Sequence, residues 1–130
     1  MSRFNLEVIV NELGADSAAI MVPNDAERHL DCFDSYNMPP EWVAIKNPYD
    51  ENVPSGNVSV YKSGKPALAN HLQKMLEGFY IESVMIVPVK RDQRTIAMLE
   101  IIHDKDGKTF SEEDLKIALE FANRFEPQLP

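Results

Sequence analysis

The sequence predicts an α+β domain: a central antiparallel sheet of five or six strands, terminal helices on one face, and a loop-and-short-helix layer over the other. Three observations lead there. Helical apolar spacing brackets the chain, at Leu6 to Leu13 and at Leu115 to Phe125. Two late segments, Ser83 to Lys90 and Thr95 to His103, are apolar on both parities, the mark of strands covered on both faces. Between the halves, Asn37 to Pro54 holds Pro39, Pro40, Pro48 and Pro54, so it must be irregular.

In chain order, Leu6, Ile9, Val10 and Leu13 define the first helix, with Ser2 as a candidate cap and Gly14 as its stop. Ala15 to Val22 is too short an apolar run for a helix and reads as a strand. Pro23-Asn24-Asp25 turns the chain, and Arg28 to Tyr36 returns as a second strand. The proline-rich connection leaves room for a helical turn near Glu41 to Lys46. Ser55 to Ser63 is a short helix closed by Gly64, with Ser55 as its N-cap, and Pro66 to Ala69 is a short strand. Asn70 caps a further helix carrying Leu72, Met75 and Leu76, which stops at Gly78. Pro88 lacks an N–H, so an edge or a bulge is expected there. Arg91-Asp92-Gln93-Arg94 links the two apolar strands as a hairpin. Ser111 and Asp114 form the capping pattern of the last helix, Phe110 is placed to staple onto Leu115, and Pro127 ends it.

Length fits one domain spanning 1–130, with no repeat, linker or low-complexity tract. Lys and Arg number 13 against 21 Asp and Glu, a net charge of −8. That charge disfavours nucleic acid and anionic membrane surfaces as partners. Cys32 is the single cysteine, and His29, His71 and His103 are scattered, so neither a disulfide nor a zinc site is expected. No stretch approaches the roughly twenty apolar residues of a membrane span, and the N-terminus lacks the pattern of a secretion signal. A cytoplasmic location is expected.

Glu100 stands out chemically. It interrupts Ile96, Ala97, Met98, Leu99, Ile101 and Ile102, where a lone charge is costly unless paired. One reading makes it the carboxylate of a pocket floor, receiving hydrogen bonds from a cationic or amine-bearing ligand. The other satisfies it with Arg94, a lysine or solvent. If Glu100 faces a pocket, Met98 and Ile102 share its face, with Val84 and Ile86 on the neighbouring strand and Ser17, Ala19 and Met21 on the first. Trp42, Tyr49, Asn57, Ser55 and His71 lie in the segment expected to form the lid. Trp42 either contacts the ligand or anchors its own loop; His71 reads as a solvated helix-start residue.

Four motifs in order carry a family resemblance. They are Leu13-Gly14-Ala15-Asp16-Ser17-Ala18-Ala19-Ile20, Ser63-Gly64-Lys65-Pro66, Ile81-Glu82-Ser83-Val84-Met85-Ile86-Val87-Pro88-Val89, and Phe110-Ser111-Glu112-Glu113-Asp114-Leu115. Together they resemble the GAF domain, a small-molecule sensory module, over nearly the whole chain. The resemblance implies a profilin-like fold with a ligand pocket between the sheet and the middle segment. It departs at Ala97, where many members carry glycine, and no longer signalling helix precedes the first helix. The chain reads as a stand-alone domain or a fragment of something larger.

The same resemblance frames the function. The expectation is a non-enzymatic sensory or regulatory domain that binds a small cytoplasmic molecule without a cofactor. The site residues are Glu100, Met98, Val84, Ile86, Met21, Trp42, Tyr49 and Asn57. One alternative is a ligand-free GAF module kept for dimerisation or protein interaction. Another is a small enzyme related to the single-domain GAF methionine sulfoxide reductases. Those reductases use several cysteines, whereas Cys32 has no resolving partner; Val84 stands where they place a ligand-binding glutamate, although Glu100 keeps an acid at a second such position. The cyclic-nucleotide signature is incomplete: Phe110 and Asp114 are explained by helix capping, and Leu115 replaces its glutamate. A homodimer through the terminal helices is expected. Leu115, Ala118, Leu119, Ala122 and Phe125 make a stripe for the sheet, leaving Ile117 and Phe121 to a second copy or to the first helix.

Overall fold

A computed structural model describes residues 5–50, 52, 55–76 and 78–130; the candidate cap Ser2 lies outside them. Helix α1 (Leu6–Leu13) buries Leu6, Ile9, Val10 and Leu13 and closes on Gly14, whose φ of 63° is the left-handed cap conformation open to glycine. Strands β1 (Ser17–Asn24) and β2 (His29–Tyr36) follow, then α2 (Pro40–Val43), β3 (Asn47–Pro48), α3 (Gly56–Ser63) and β4 (Ala67–Ala69). Next come β5 (Lys74–Leu76), β6 (Phe79–Ile81), β7 (Ser83–Arg91), β8 (Arg94–His103) and α4 (Glu112–Phe125), with a 3-10 turn at Glu126–Gln128. The main sheet has six strands in the order β3-β2-β1-β8-β7-β4, and every pairing in it is antiparallel. The expected architecture is the observed one, and β7 and β8 form its central hairpin.

Strand alternation divides the interior in two. Ala18 and Ile20 of β1, Met85, Val87 and Val89 of β7, and Ala97, Leu99 and Ile101 of β8 pack against α1 and α4. The opposite parity, Ala19, Met21, Ile86, Met98 and Ile102, packs against Trp42, Tyr49, Val58 and Val60 of the middle layer. Asp92 and Gln93, at φ 51° and 67°, make the two-residue turn of the central hairpin. At α4, Ser111 Oγ accepts from the Asp114 N–H at 3.1 Å and the Asp114 carboxylate accepts from the Ser111 N–H at 2.8 Å, the expected capping box. Pro88 sits beyond Ile86, where β4 stops pairing with β7, and one residue before a register shift.

Three expectations are corrected. The first turn does not begin at Pro23: β1 runs on to Asn24. Pairing of β1 with β8 ends at Met21, so Pro23 needs no ladder N–H on that side. The turn comes at Asp25–Arg28, where Asn24 Oδ1 accepts from the Glu27 N–H at 3.2 Å.

Asn70 does not cap a helix. His71 and Gln73 adopt left-handed φ of 58° and 51°, which breaks helical continuity, and the segment pairs as the β5–β6 hairpin. Met75 is 61% exposed and Leu72 42%, so their helical spacing never met a core. The Asn70 amide instead bridges to Phe110, donating to its carbonyl at 3.0 Å and accepting from its N–H at 2.9 Å.

The third correction concerns α4. Phe121 is buried within one chain, together with Ala118, Ala122 and Phe125, while Leu115 and Leu119 are only half-buried. The buried stripe is therefore turned toward Phe121, and α1 packs alongside α4.

Candidate functional site

The site is built where α3 crosses the middle of the sheet. Ser55 Oγ accepts from the Val58 N–H at 3.2 Å and starts that helix. Gly56, its first residue, lies so close to β7 that a Cβ there would stand 2.9 Å from Ile86 Cδ1. This approach sets the Asn57 amide beside the Glu100 carboxyl of β8, where it favours the ionised form. No sequence signal marked Gly56; its requirement is a close approach that exists only in three dimensions.

Glu100 pairs with Ala19 of β1 on one side and Ile86 of β7 on the other, in the interior of the sheet. It is 5% exposed, and its Oε1 has no hydrogen-bond partner among the described residues. The alternative in which Arg94 or a lysine satisfies it is not what the fold provides: among the described residues no basic side chain pairs with it. Burial pushes its carboxyl up to about 7, with the Asn57 hydrogen bond pulling weakly the other way.

In front of Glu100 lies a cavity of about 530 Å³. Its floor is Val84, Ile86 and Glu100; α3 supplies Gly56 and Asn57; Trp42, Ile45 and Lys46 wall one side; Leu72, Lys74, Leu76 and Ile81 wall the other. Five buried side-chain polar atoms lack a hydrogen-bond partner among the described residues, and three of them, Glu100 Oε1, Asn57 Oδ1 and Trp42 Nε1, are on residues that line this cavity. Buried polar groups in native proteins are almost always paired. Their concentration on one cavity wall identifies it as the candidate site.

Of the residues singled out in the sequence, Glu100, Val84, Ile86, Trp42 and Asn57 meet at this cavity. Met98 and Met21 lie fully buried in the same core without lining it. Tyr49 is turned away: its hydroxyl donates to Asp25 at 2.9 Å and its ring packs on Tyr61. His71 is no free helix-start residue; its Nδ1 stands 2.8 Å from the buried Glu82 carboxylate, which also accepts from Tyr80 at 2.5 Å. Lining residues Lys74 and Leu76 of β5 went unrecognised because that segment reads as helix, and Ile81 of β6 reads only as the start of the following strand motif.

Cys32 lies half-buried on β2, and its thiol donates weakly to the Asp34 carbonyl at 3.4 Å. Burial, reinforced by the charges of Glu100 and Asp34, pushes it up to about 11, which suppresses the nucleophilic thiolate. A larger, more open groove of about 780 Å³ runs past Lys62, Lys90 and Arg94 at the far end of the sheet. None of its lining residues carries a buried unpartnered polar atom. Among the described residues no group of three or more His, Cys, Asp or Glu is placed to hold a metal, and no helix is long and apolar enough to cross a membrane.

Comparison with known proteins bears on this geometry. A family model described as "GAF domain" matches residues 1–125. Solved structures share the fold at low identity. The GAF domain of an Acinetobacter phosphoenolpyruvate-protein phosphotransferase is 15% identical, with TM-score 0.77 over 94% of this chain and 75% of that one. The second GAF domain of DevS from Mycobacterium smegmatis is 18% identical, with TM-score 0.74 over 95% and 86%. The free methionine-R-sulfoxide reductase from Neisseria meningitidis, solved with its substrate, is 15% identical, with TM-score 0.74 over 95% and 72%. No curated protein sequence matches the chain.

Proposed function

The chain belongs to the GAF domain family, and from that premise we propose that it is a regulatory domain that holds a small cytoplasmic molecule, without catalysis, in the cavity before Glu100. The observation that carries this reading is the cluster of unpartnered polar atoms, Glu100 Oε1, Asn57 Oδ1 and Trp42 Nε1, set in a mainly apolar lining. A small organic ligand is recognised in that way, by a few convergent polar groups in an apolar hollow. Similar folds occur in a domain of a two-component sensor histidine kinase protein and in a free methionine-R-sulfoxide reductase, so the fold leaves the choice to the site. Cys32 supports the non-catalytic side, being a high-pKa thiol in a chain with no other cysteine. Measurable reductase activity that disappears in Cys32→Ser would overturn that part.

The same proposal includes a homodimer through the terminal helices, now resting on the exposed Val8 of α1 and the half-buried Ile117 of α4 rather than on Phe121. Native mass spectrometry of protein purified from its own host tests the ligand reading. A small molecule should be retained by the wild type and lost from Glu100→Gln. An empty wild type, with the cavity open in solution, would refute it.

A further inference from the structure

Taking the cavity as a ligand site, as proposed above, its unpaired atoms restrict the chemistry of the occupant. With the Glu100 carboxyl ionised, two of the three are acceptors, Glu100 Oε1 and Asn57 Oδ1, which are neighbours on the lining, and the third, Trp42 Nε1, is a donor. The charged and titratable groups around them offer no countercharge. Lys46 gives its Nζ to Asp31 at 2.7 Å, Lys74 is exposed on β5, and Cys32 on β2 is held as a neutral thiol. From β7 only Val84 and Ile86 face the site.

A ligand with a single hydroxyl would satisfy one acceptor and leave the other dry. An anion would meet a carboxylate in a low dielectric. A group with two or more N–H donors and a positive charge satisfies both acceptors and supplies the missing countercharge.

We propose that the cavity takes an organic cation whose N–H donors span Glu100 Oε1 and Asn57 Oδ1, with an apolar body against Ile81, Val84 and Ile86. Its entry expels the proton of the Glu100 carboxyl to solvent, so that the neutral acid and the free cation become an ion pair plus a released proton. Burial lifts the empty site to about 7, so near neutral pH a large share of molecules carry that proton. Cation binding therefore strengthens as pH rises toward and past neutrality.

The test screens a fragment library with equal numbers of primary amines or amidines, their neutral isosteres and carboxylates. Shifts of the Val84 and Ile86 amides in ¹H–¹⁵N spectra are the readout. Cationic fragments should dominate the hits, weaken about 10- to 100-fold in Glu100→Gln and about 3- to 10-fold in Asn57→Ala. Calorimetry of the strongest cationic hit near pH 7, in phosphate and in HEPES, should show release of roughly half a proton, absent in Glu100→Gln. Neutral fragments binding as well as their cationic isosteres, or cations indifferent to Glu100→Gln, would overturn the cation proposal and leave the cavity a ligand site. A library that shifts none of these amides would overturn both. The spectrum of each variant reports its own folding.

Discussion

Gly56 and Ile86 touch so closely that any Cβ at position 56 would fall 2.9 Å from Ile86 Cδ1. That contact lets α3 lie on the sheet and brings Asn57 to Glu100. Gly56→Ala should therefore cost about 1 kcal/mol or less, because the clash is with the mobile end of one side chain. Gly56→Leu should narrow the cavity and lower the affinity of any ligand found there. Denaturant titration with a cavity-bound fragment checks both; unchanged affinity in Gly56→Leu would dissociate this glycine from the site.

Glu100 gives the empty protein a pH signature. Its carboxyl rises from 4.5 unfolded to about 7 folded, so the folded state prefers it protonated. That contribution is fully present below about 4.5 and is lost as pH rises through about 7, a change of about 3 kcal/mol. Urea midpoints of wild type and Glu100→Gln, compared from pH 4 to 8, should converge at the acid end and separate toward pH 8, with the variant more stable there. Parallel curves would contradict it.

His103 works in the opposite sense from the other side of the sheet. It is buried, stacked on Phe110 at 4.2 Å, and its Nδ1 has no hydrogen-bond partner among the described residues, with the Asp16 carboxylate 3.9 Å away. Burial depresses its pKa, partly offset by Asp16. The stability this neutral imidazole supports is present above the usual histidine range and lost as pH falls through the depressed value. A His103→Gln variant should lose part of the acid-induced drop in melting temperature; an identical drop would exclude His103.

How much of this was legible in advance follows from how local each signal is. The apolar runs of β7 and β8, the glycine stops after α1 and α3 and the Ser111–Asp114 capping box are written within a few residues, and each appears as read. Strand parity carried Glu100, Val84 and Ile86 to the cavity because alternation is set by the pleat itself. The β5–β6 hairpin was not legible: Leu72, Met75 and Leu76 have helical spacing, and only the left-handed backbone at His71 and Gln73 breaks it. At His71 that conformation is accompanied by a tertiary bond, its N–H donating to Ser83 Oγ at 3.2 Å. Likewise Phe121 reads as off the buried stripe until α1 is packed beside α4.

The α4 correction makes its own prediction. Phe121→Glu should unfold the domain rather than merely dissociate it, because it places a charge in the helix-side core, with a cost of about 3 kcal/mol or more. Val8→Glu, on an exposed face, should change the stability of the folded monomer by no more than about 0.5 kcal/mol and convert a sedimenting dimer to monomer. A wild type that sediments as a monomer at micromolar concentration would defeat the dimer outright.

The central claim is that the hollow before Glu100 is a ligand site, and electron density tests it most directly. Crystals of protein purified from its own host, without refolding, should show a compact molecule between Glu100, Asn57 and Trp42, within hydrogen-bond distance of Glu100 Oε1. Density for ordered water alone, with Glu100 and Asn57 both satisfied by it, would contradict the account.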